Sequence, residues 1–491
     1  MQFQSFNFLL IFLPLVISFY YLAKNNNYRN IILIFFSFIF YAWGNIWWFF
    51  ILLISASVDF FIAKKIYQLG CKMKSPDQAA SIVKINFQRK SLLILSIVSN
   101  VGLLVFFKYW DWLISASGSY FSANFDFLIH NIGLPVAISF YTFESLSYIF
   151  DVYRRQFKAT DKYIDYLTFI AFFPKLVAGP IMRAHELLPQ LAKIRHKISN
   201  KNLELALFLI AWGLCKKLVF ADNLGYLVED CHKNIKNDGV GFILGVAFTL
   251  QIYCDFSAYC DIARGVAKFF SINLKRNFLT PYFSKNISEF FTRWHISLSS
   301  WVKDYIYLTI RKKESGQFNR LIGLYVAMLV IGIWHGAGIF FIFYGLYAAT
   351  VILIYRISKI DKILIKFLGN NFGGLIAIIL CFLAIVFGMT IFWVKDYDDF
   401  LRIVHSYFAF FTFPFSPSKI SVNFLDLGYQ SLFLILPILF TDYLGYRKKR
   451  EFVDLYFTFT TPIKIVIYIS IFYLTLFFAA RGSYDFIYFQ F

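Results

Sequence analysis

Apolar residues run along this chain in long blocks, and short polar stretches separate one block from the next. Blocks at 6–23, 30–43, 46–63, 91–110, 131–152, 203–221, 240–268, 320–334, 338–355, 372–393, 426–444 and 463–480 approach the roughly 20 residues that a helix needs to cross a bilayer. They lack the two-residue alternation of a membrane β-barrel strand. In hydrocarbon, where no water can satisfy the backbone, helices packed on helices are the solution left. The pattern therefore predicts an all-α polytopic membrane protein with about 12 apolar segments. No linker, low-complexity stretch or strong internal repeat divides 1–491, which reads as a single domain.

Two stretches depart from the pattern. Residues 172–183 are apolar but too short to span, and Pro174, Gly179 and Pro180 break them. Such a segment is expected to be re-entrant or interfacial and packed against protein. Residues 290–310 interleave aromatics with Arg293, His295, Lys303 and Asp304. Lipid would be too costly for those polar groups, so the segment should line a cavity or lie at the cytoplasmic interface.

Composition removes the soluble alternatives. Of 491 residues 59% are hydrophobic and 15% charged, with 64 Phe and 32 Tyr, whereas an ordinary soluble domain has about 45–50% apolar and about 25% charged residues. The net charge of +20 would raise the question of nucleic acid, but no separate basic domain exists to bind it. Loop bias accounts for the charge instead. Lys24 and Arg29 follow the first block, which puts the N-terminus outside and 24–29 inside. The inside loops 24–29, 64–90, 153–202, 269–319, 356–371 and 445–462 then hold most of the Lys and Arg, and an even number of crossings returns the C-terminus to the outside. The N-terminal run to Ala23 lacks both a basic start and a small-residue cleavage site, so it reads as a retained first span. The six cysteines are scattered without metal-ligand spacing; they predict packing residues, with no metal site.

Candidate chemistry centres on two of the seven histidines. His130, His185, His196, His232 and His405 fall in loops or at membrane edges, where solvated or capping roles suffice. His335 sits between two apolar blocks in Ile333-Trp334-His335-Gly336-Ala337-Gly338, too tightly placed for a solvated loop. A buried imidazole there is either bonded to a neighbouring helix or functional. His295, in Arg293-Trp294-His295-Ile296-Ser297-Leu298-Ser299, is the second candidate. Together they suggest a cavity in which one imidazole removes a hydroxyl proton while the other orients an acyl group or stabilises developing charge. Asp255 and Asp261 are intramembrane carboxylates by position. In a transporter they would couple ions; in an enzyme they would be structural partners of Arg or Tyr, and the residues alone leave both open. No nucleophile elbow, Walker loop, dinucleotide fingerprint or zinc-protease motif competes.

Several runs carry a family resemblance in order along nearly the whole chain. They are 138–148 (ISFYTFESLSY), Phe173-Pro174 through Gly179-Pro180, Asp255-Phe256-Ser257, 293–299 (RWHISLS), Trp334-His335-Gly336, and the aromatic tail 483–491 ending in Phe486-Ile487-Tyr488-Phe489-Gln490-Phe491. The sequence resembles the membrane-bound O-acyltransferase family, in its alginate and peptidoglycan O-acetylation branch. That resemblance implies helices around a central tunnel and acyl transfer to a hydroxyl. It maps the catalytic histidine onto His335 and the second family histidine onto His295, with Arg293, Trp294, Ser297, Trp334 and Asp304 as tunnel or donor-side residues. The donor implied is acetyl-CoA, acting as substrate with no bound cofactor, and the basic loop 269–319 would attract its phosphates. A periplasmic acceptor or transferase protein and an exported polysaccharide would be the partners, beside the lipid bilayer, in a bacterial inner membrane with both termini periplasmic.

Tyr488 either anchors the tail at the lipid interface or is transiently acetylated, since the same terminal pattern occurs in the partner peptide of teichoic-acid D-alanylation. Leu308-Thr309-Ile310-Arg311 replaces a Pro-Leu-Gly-Gly turn usual in the family, and Ala258 and Cys260 stand where Gly or Ser is usual. Two alternatives remain from the sequence: D-alanyl transfer to teichoic acid, and a polytopic transporter using Asp255 and Asp261.

Overall fold

The computed structural model describes residues 1–72, 79–121, 133–195, 197–235, 239–311, 316–412, 422–480, 482 and 484–487. Among the described residues every regular element is a helix, mostly α with short π and 3-10 turns. Tyr488, with the rest of the tail at 483 and 489–491, lies outside them, as do His130 and His196.

Among the described residues seven helices are long and apolar enough to cross a bilayer: Ile46–Lys72, Ile82–Gly118, Val240–Phe269, Gln317–His335, Ile339–Ser358, Ile360–Trp393 and Thr461–Phe478. Each coincides with a block read from the sequence, and the chain is an all-α polytopic membrane protein. The count of twelve is not reached by that measure. The block at 6–23 forms a π-turn, Asn7–Phe12, and a ten-residue helix, Leu13–Leu22. The block at 30–43 is the 17-residue helix Asn26–Ala42, and 131–152 gives the 16-residue Ile138–Tyr153. Asn200–Cys215 passes into a π-turn at Lys216–Ala221, and 426–444 lies in Val422–Lys448. Polar content is part of the reason: Ile138–Tyr153 buries Glu144 and Asp151, which only other protein can accommodate.

The chain forms two compact units, Met1–Leu207 with Ile262–Lys275, and Phe208–Asp261 with Arg276–Phe491. In the first, Asn25 caps Asn26–Ala42 by accepting the Tyr28 N–H at 3.0 Å, and the helix lays Phe36 and Phe40 among Phe8, Phe12 and Phe173, with ring centroids 5.4–5.9 Å apart for Phe12–Phe173 and Phe12–Phe40. Residues 172–182 are buried throughout. The segment expected to pack against protein does so through polar ties. Lys175 pairs with Glu144, the Met182 N–H donates to the other Glu144 oxygen at 3.0 Å, and the Phe173 N–H donates to Ser37 Oγ at 3.0 Å. Gly179 closes the segment: a Cβ there would fall 2.3 Å from Lys175 Cα.

In the second unit Gln317–His335 and Ile339–Ser358 form a hairpin through Gly336-Ala337-Gly338. Their backbones approach closely at glycines. A Cβ on Gly332 would lie 2.2 Å from the Phe341 carbonyl oxygen, and one on Gly345 would lie 2.7 Å from that of Met328. Small residues at a membrane helix contact serve this purpose, since packing replaces the hydrophobic drive that lipid removes. Ile360–Trp393, interrupted by a π-turn at Gly369–Gly373, brings Phe392 against this hairpin.

Candidate active site

His295 is placed by its backbone. It joins the short helices Ile287–Arg293 and Ile296–Val302 in a left-handed conformation, φ 42°. Asn286 starts the first helix by accepting the Glu289 N–H at 2.9 Å. Asn277 holds the second from outside: its carbonyl accepts the Ile296 N–H at 2.9 Å and its Oδ1 accepts the Ser297 N–H at 3.0 Å. Few non-glycine residues sit at positive φ, and such strain is sustained where surroundings enforce it. Here Asn277 supplies the enforcement.

Burial then sets the electrostatics. His295 is 1% exposed, with Phe256 edge-on at 4.6 Å and Trp334 at 5.8 Å between centroids. Removal from water pushes its pKa down to about 3 from an ordinary 6.5, so the ring is neutral at pH 7. His335 ends Gln317–His335 and is 6% exposed, ringed by Trp334 at 5.0 Å, Phe392 at 4.9 Å and Tyr344 at 6.3 Å. Trp334 thus touches both imidazoles. Gly336 leaves room for this ring cluster, because a Cβ there would stand 2.1 Å from Phe341 Cε2.

The other residues expected at the site divide. Trp294 is buried beneath Phe278 and Phe290, at 5.1 and 5.4 Å, and Ser297 is buried beside Asn277. Arg293 pairs with Glu289 at 2.5 Å and lies over the Tyr446 ring. Asp304 is half-buried in the π-turn Lys303–Tyr307. His185 and His232, half-exposed, lie beside Asp151 at 3.6 Å and Asp399 at 3.0 Å.

Asp255 and Asp261 each meet a buried lysine. Lys217 lies 2.9 Å from Asp255 and 2.8 Å from Asp222, and Lys216 lies 2.6 Å from Asp261 and 2.9 Å from Ser257 Oγ. Sequence reasoning passed over both lysines. Their signal was two adjacent cations inside an apolar block at 203–221, in a chain with two intramembrane carboxylates to neutralise. Asn277 had no comparable signal.

The family model for the membrane-bound O-acyltransferases matches residues 90–393, which span His295, Trp334 and His335. The chain belongs to the membrane-bound O-acyltransferase family. It is therefore a membrane O-acyltransferase, and the two buried histidines lie in the part that defines the family. It is similar to the probable alginate O-acetylase of Pseudomonas aeruginosa, 33% identical over 72% of this chain and 67% of that one. It is also similar to the peptidoglycan O-acetyltransferase of Helicobacter pylori, 33% identical over 61% of this chain and 59% of that protein's length. The teichoic acid D-alanyltransferase of Bacillus subtilis is 28% identical over 54% of this chain and 69% of its own.

Proposed function

We propose that this O-acyltransferase takes acetyl from acetyl-CoA on the cytoplasmic side of a bacterial inner membrane and passes it outward for O-acetylation of an exported polysaccharide, alginate-like or peptidoglycan. The observation that carries the reading is the ring cluster holding His295 and His335 on either side of Trp334. His335 serves as general base, and neutral His295 orients the acyl carbonyl. Arg293, Trp294, Ser297, Trp334 and Asp304 form the tunnel wall and its donor side.

Tyr488 is the first acceptor in this scheme. Its phenol, with an ordinary pKa near 10, needs a base to react at neutral pH. His335 takes the phenolic proton as the oxygen attacks the thioester carbonyl; the C–S bond breaks, and the proton goes to the leaving thiolate. A periplasmic transferase then moves acetyl from the aryl ester to a sugar hydroxyl. With both termini outside, the tail is on the receiving side.

The greater identity to the O-acetylating relatives, 33% against 28%, supports acetyl over D-alanyl as the group carried. Ion coupling through Asp255 and Asp261 is disfavoured because each already faces a buried lysine. Mass spectrometry of the purified protein after incubation with isotopically labelled acetyl-CoA tests the scheme. Label on Tyr488 in the wild type and none in His335→Ala is expected. Label equal in both proteins overturns the role of His335, and a wild type that neither takes label nor releases CoA overturns the donor.

A further inference from the structure

Tyr488 follows directly on a segment whose anchorage is visible. After Thr461–Phe478 the chain is fixed by the Ala480 N–H donating to the Leu218 carbonyl at 2.9 Å, and by Asn223 Nδ2 donating to the Phe478 carbonyl at 2.9 Å. Tyr484 then sets its ring against Tyr226 at 4.8 Å. Phe486 is buried against Tyr259 at 5.0 Å and Phe256 at 5.9 Å. Finally the Ile487 N–H donates to Asp255 Oδ2 at 2.7 Å, 232 residues away in sequence.

The charges explain why a backbone donor belongs there. Asp222, Asp255 and Lys217 are all buried, at 1, 3 and 5% exposure. One ammonium sits between two carboxylates, which leaves an excess of negative charge in a region where water cannot answer it. The Ile487 N–H faces the Asp255 oxygen opposite the one that Lys217 holds. A charge-assisted bond of this kind is stronger than a neutral one and fixes direction. Phe256, the next residue along Val240–Phe269, touches both Phe486 and His295. The anchor and the histidine therefore share a neighbour.

We propose that Asp255, oriented by Lys217, is a positioning residue for acyl transfer: it grips the peptide N–H one residue before Tyr488 and so holds Phe486 and Ile487 beside the Phe256–His295 pair. This rests on the tail taking part in transfer. Two readouts on the full-length protein separate the proposals. Amide hydrogen exchange over 484–487 reports the anchor without any chemistry, and delivery of labelled acetyl to Tyr488 and to an added acceptor reports the function.

Ile487→Pro deletes the donor, along with the buried isoleucine side chain and some backbone freedom at 486–487, and leaves Asp255, Lys217 and Asp222 in place; Asp255→Ala deletes the acceptor. In both, exchange should accelerate and labelled transfer should fall by at least about tenfold, the equivalent of about 1.4 kcal/mol, with the KM for acetyl-CoA unchanged. Ile487→Val, which retains the N–H, should recover most of the transfer. Exchange unaltered in Ile487→Pro overturns the anchor. Faster exchange with transfer intact overturns the positioning role. A wild type that delivers acetyl to the acceptor without label on Tyr488 ends the relay reading alone, and Asp255 is then judged on that delivery.

Discussion

Trp334 stands edge-to-face with His295 at 5.8 Å, and the same indole packs on His335, its neighbour in sequence, at 5.0 Å. One side chain therefore couples the end of Gln317–His335 to the strained turn that carries His295. Removing a general base costs about 100-fold or more, so His335→Ala should lose at least that much labelled acetyl transfer while still accumulating in the membrane. Trp334→Phe keeps a ring against both imidazoles and should stay within about tenfold of wild type, the margin of one modest packing contact. Equal losses in the two variants would show that the indole does more than hold the histidines.

Much of this was legible in the sequence, and the reasons differ by feature. Long apolar blocks mark helices because a bilayer demands length, and all seven candidate spans fall on such blocks. The tie between Glu144 and Lys175 was not legible, although both lie in recognised runs, because pairing across 31 residues depends on how 172–182 folds back into the protein. The lysine partners of Asp255 and Asp261 escaped for a related reason. Hydropathy averages Lys216 and Lys217 into an apolar block, whereas burial makes each cation seek a carboxylate. The left-handed turn at His295 carries no glycine to announce it.

Glycine substitutions should separate backbone contacts from side-chain ones. At Gly332 an added Cβ meets the Phe341 carbonyl oxygen at 2.2 Å, which cannot move without shifting the helix; at Gly338 the nearest atom is 3.5 Å away in ordinary contact. Gly332→Ala should therefore cost about 1–3 kcal/mol, the usual range for overpacking. Gly338→Ala, with an extended backbone at φ 171°, should melt with the wild type. Thermal unfolding in detergent, followed by intrinsic fluorescence, checks the order; equal melting temperatures would remove the close approach at Gly332.

Glu144 and Lys175 form a fully buried ion pair on which the segment 172–182 depends. Deleting one member leaves the other charged and unanswered, at a cost of about 3–5 kcal/mol, whereas removing both charges together leaves neither unanswered. Lys175→Met and Glu144→Gln should each destabilise strongly, and the double variant should recover much of the loss. Losses that simply add in the double variant would show that each residue stabilises the segment independently of its partner.

Two buried groups outside the candidate spans give opposing pH dependences. His295 is held down to about 3 by burial, and Asp222 is pushed up to about 6 from 3.8, mainly by burial, with Lys217 opposing the rise. His295 binds its proton in the unfolded chain first, so its contribution is present above about 6.5 and is lost as pH falls toward 3. Asp222 behaves inversely: it holds a proton in the fold that the unfolded chain has released, so its contribution is present below 3.8 and is lost as pH rises through about 6. Between about pH 4 and 6 the two slopes, each about 1.4 kcal/mol per pH unit, cancel. Melting temperature in detergent should accordingly fall on acidification in Asp222→Asn, where the histidine slope is exposed, and rise in His295→Asn, where the carboxyl slope is exposed. Parallel curves for both variants and the wild type would mean that neither group changes its proton occupancy on unfolding in this window.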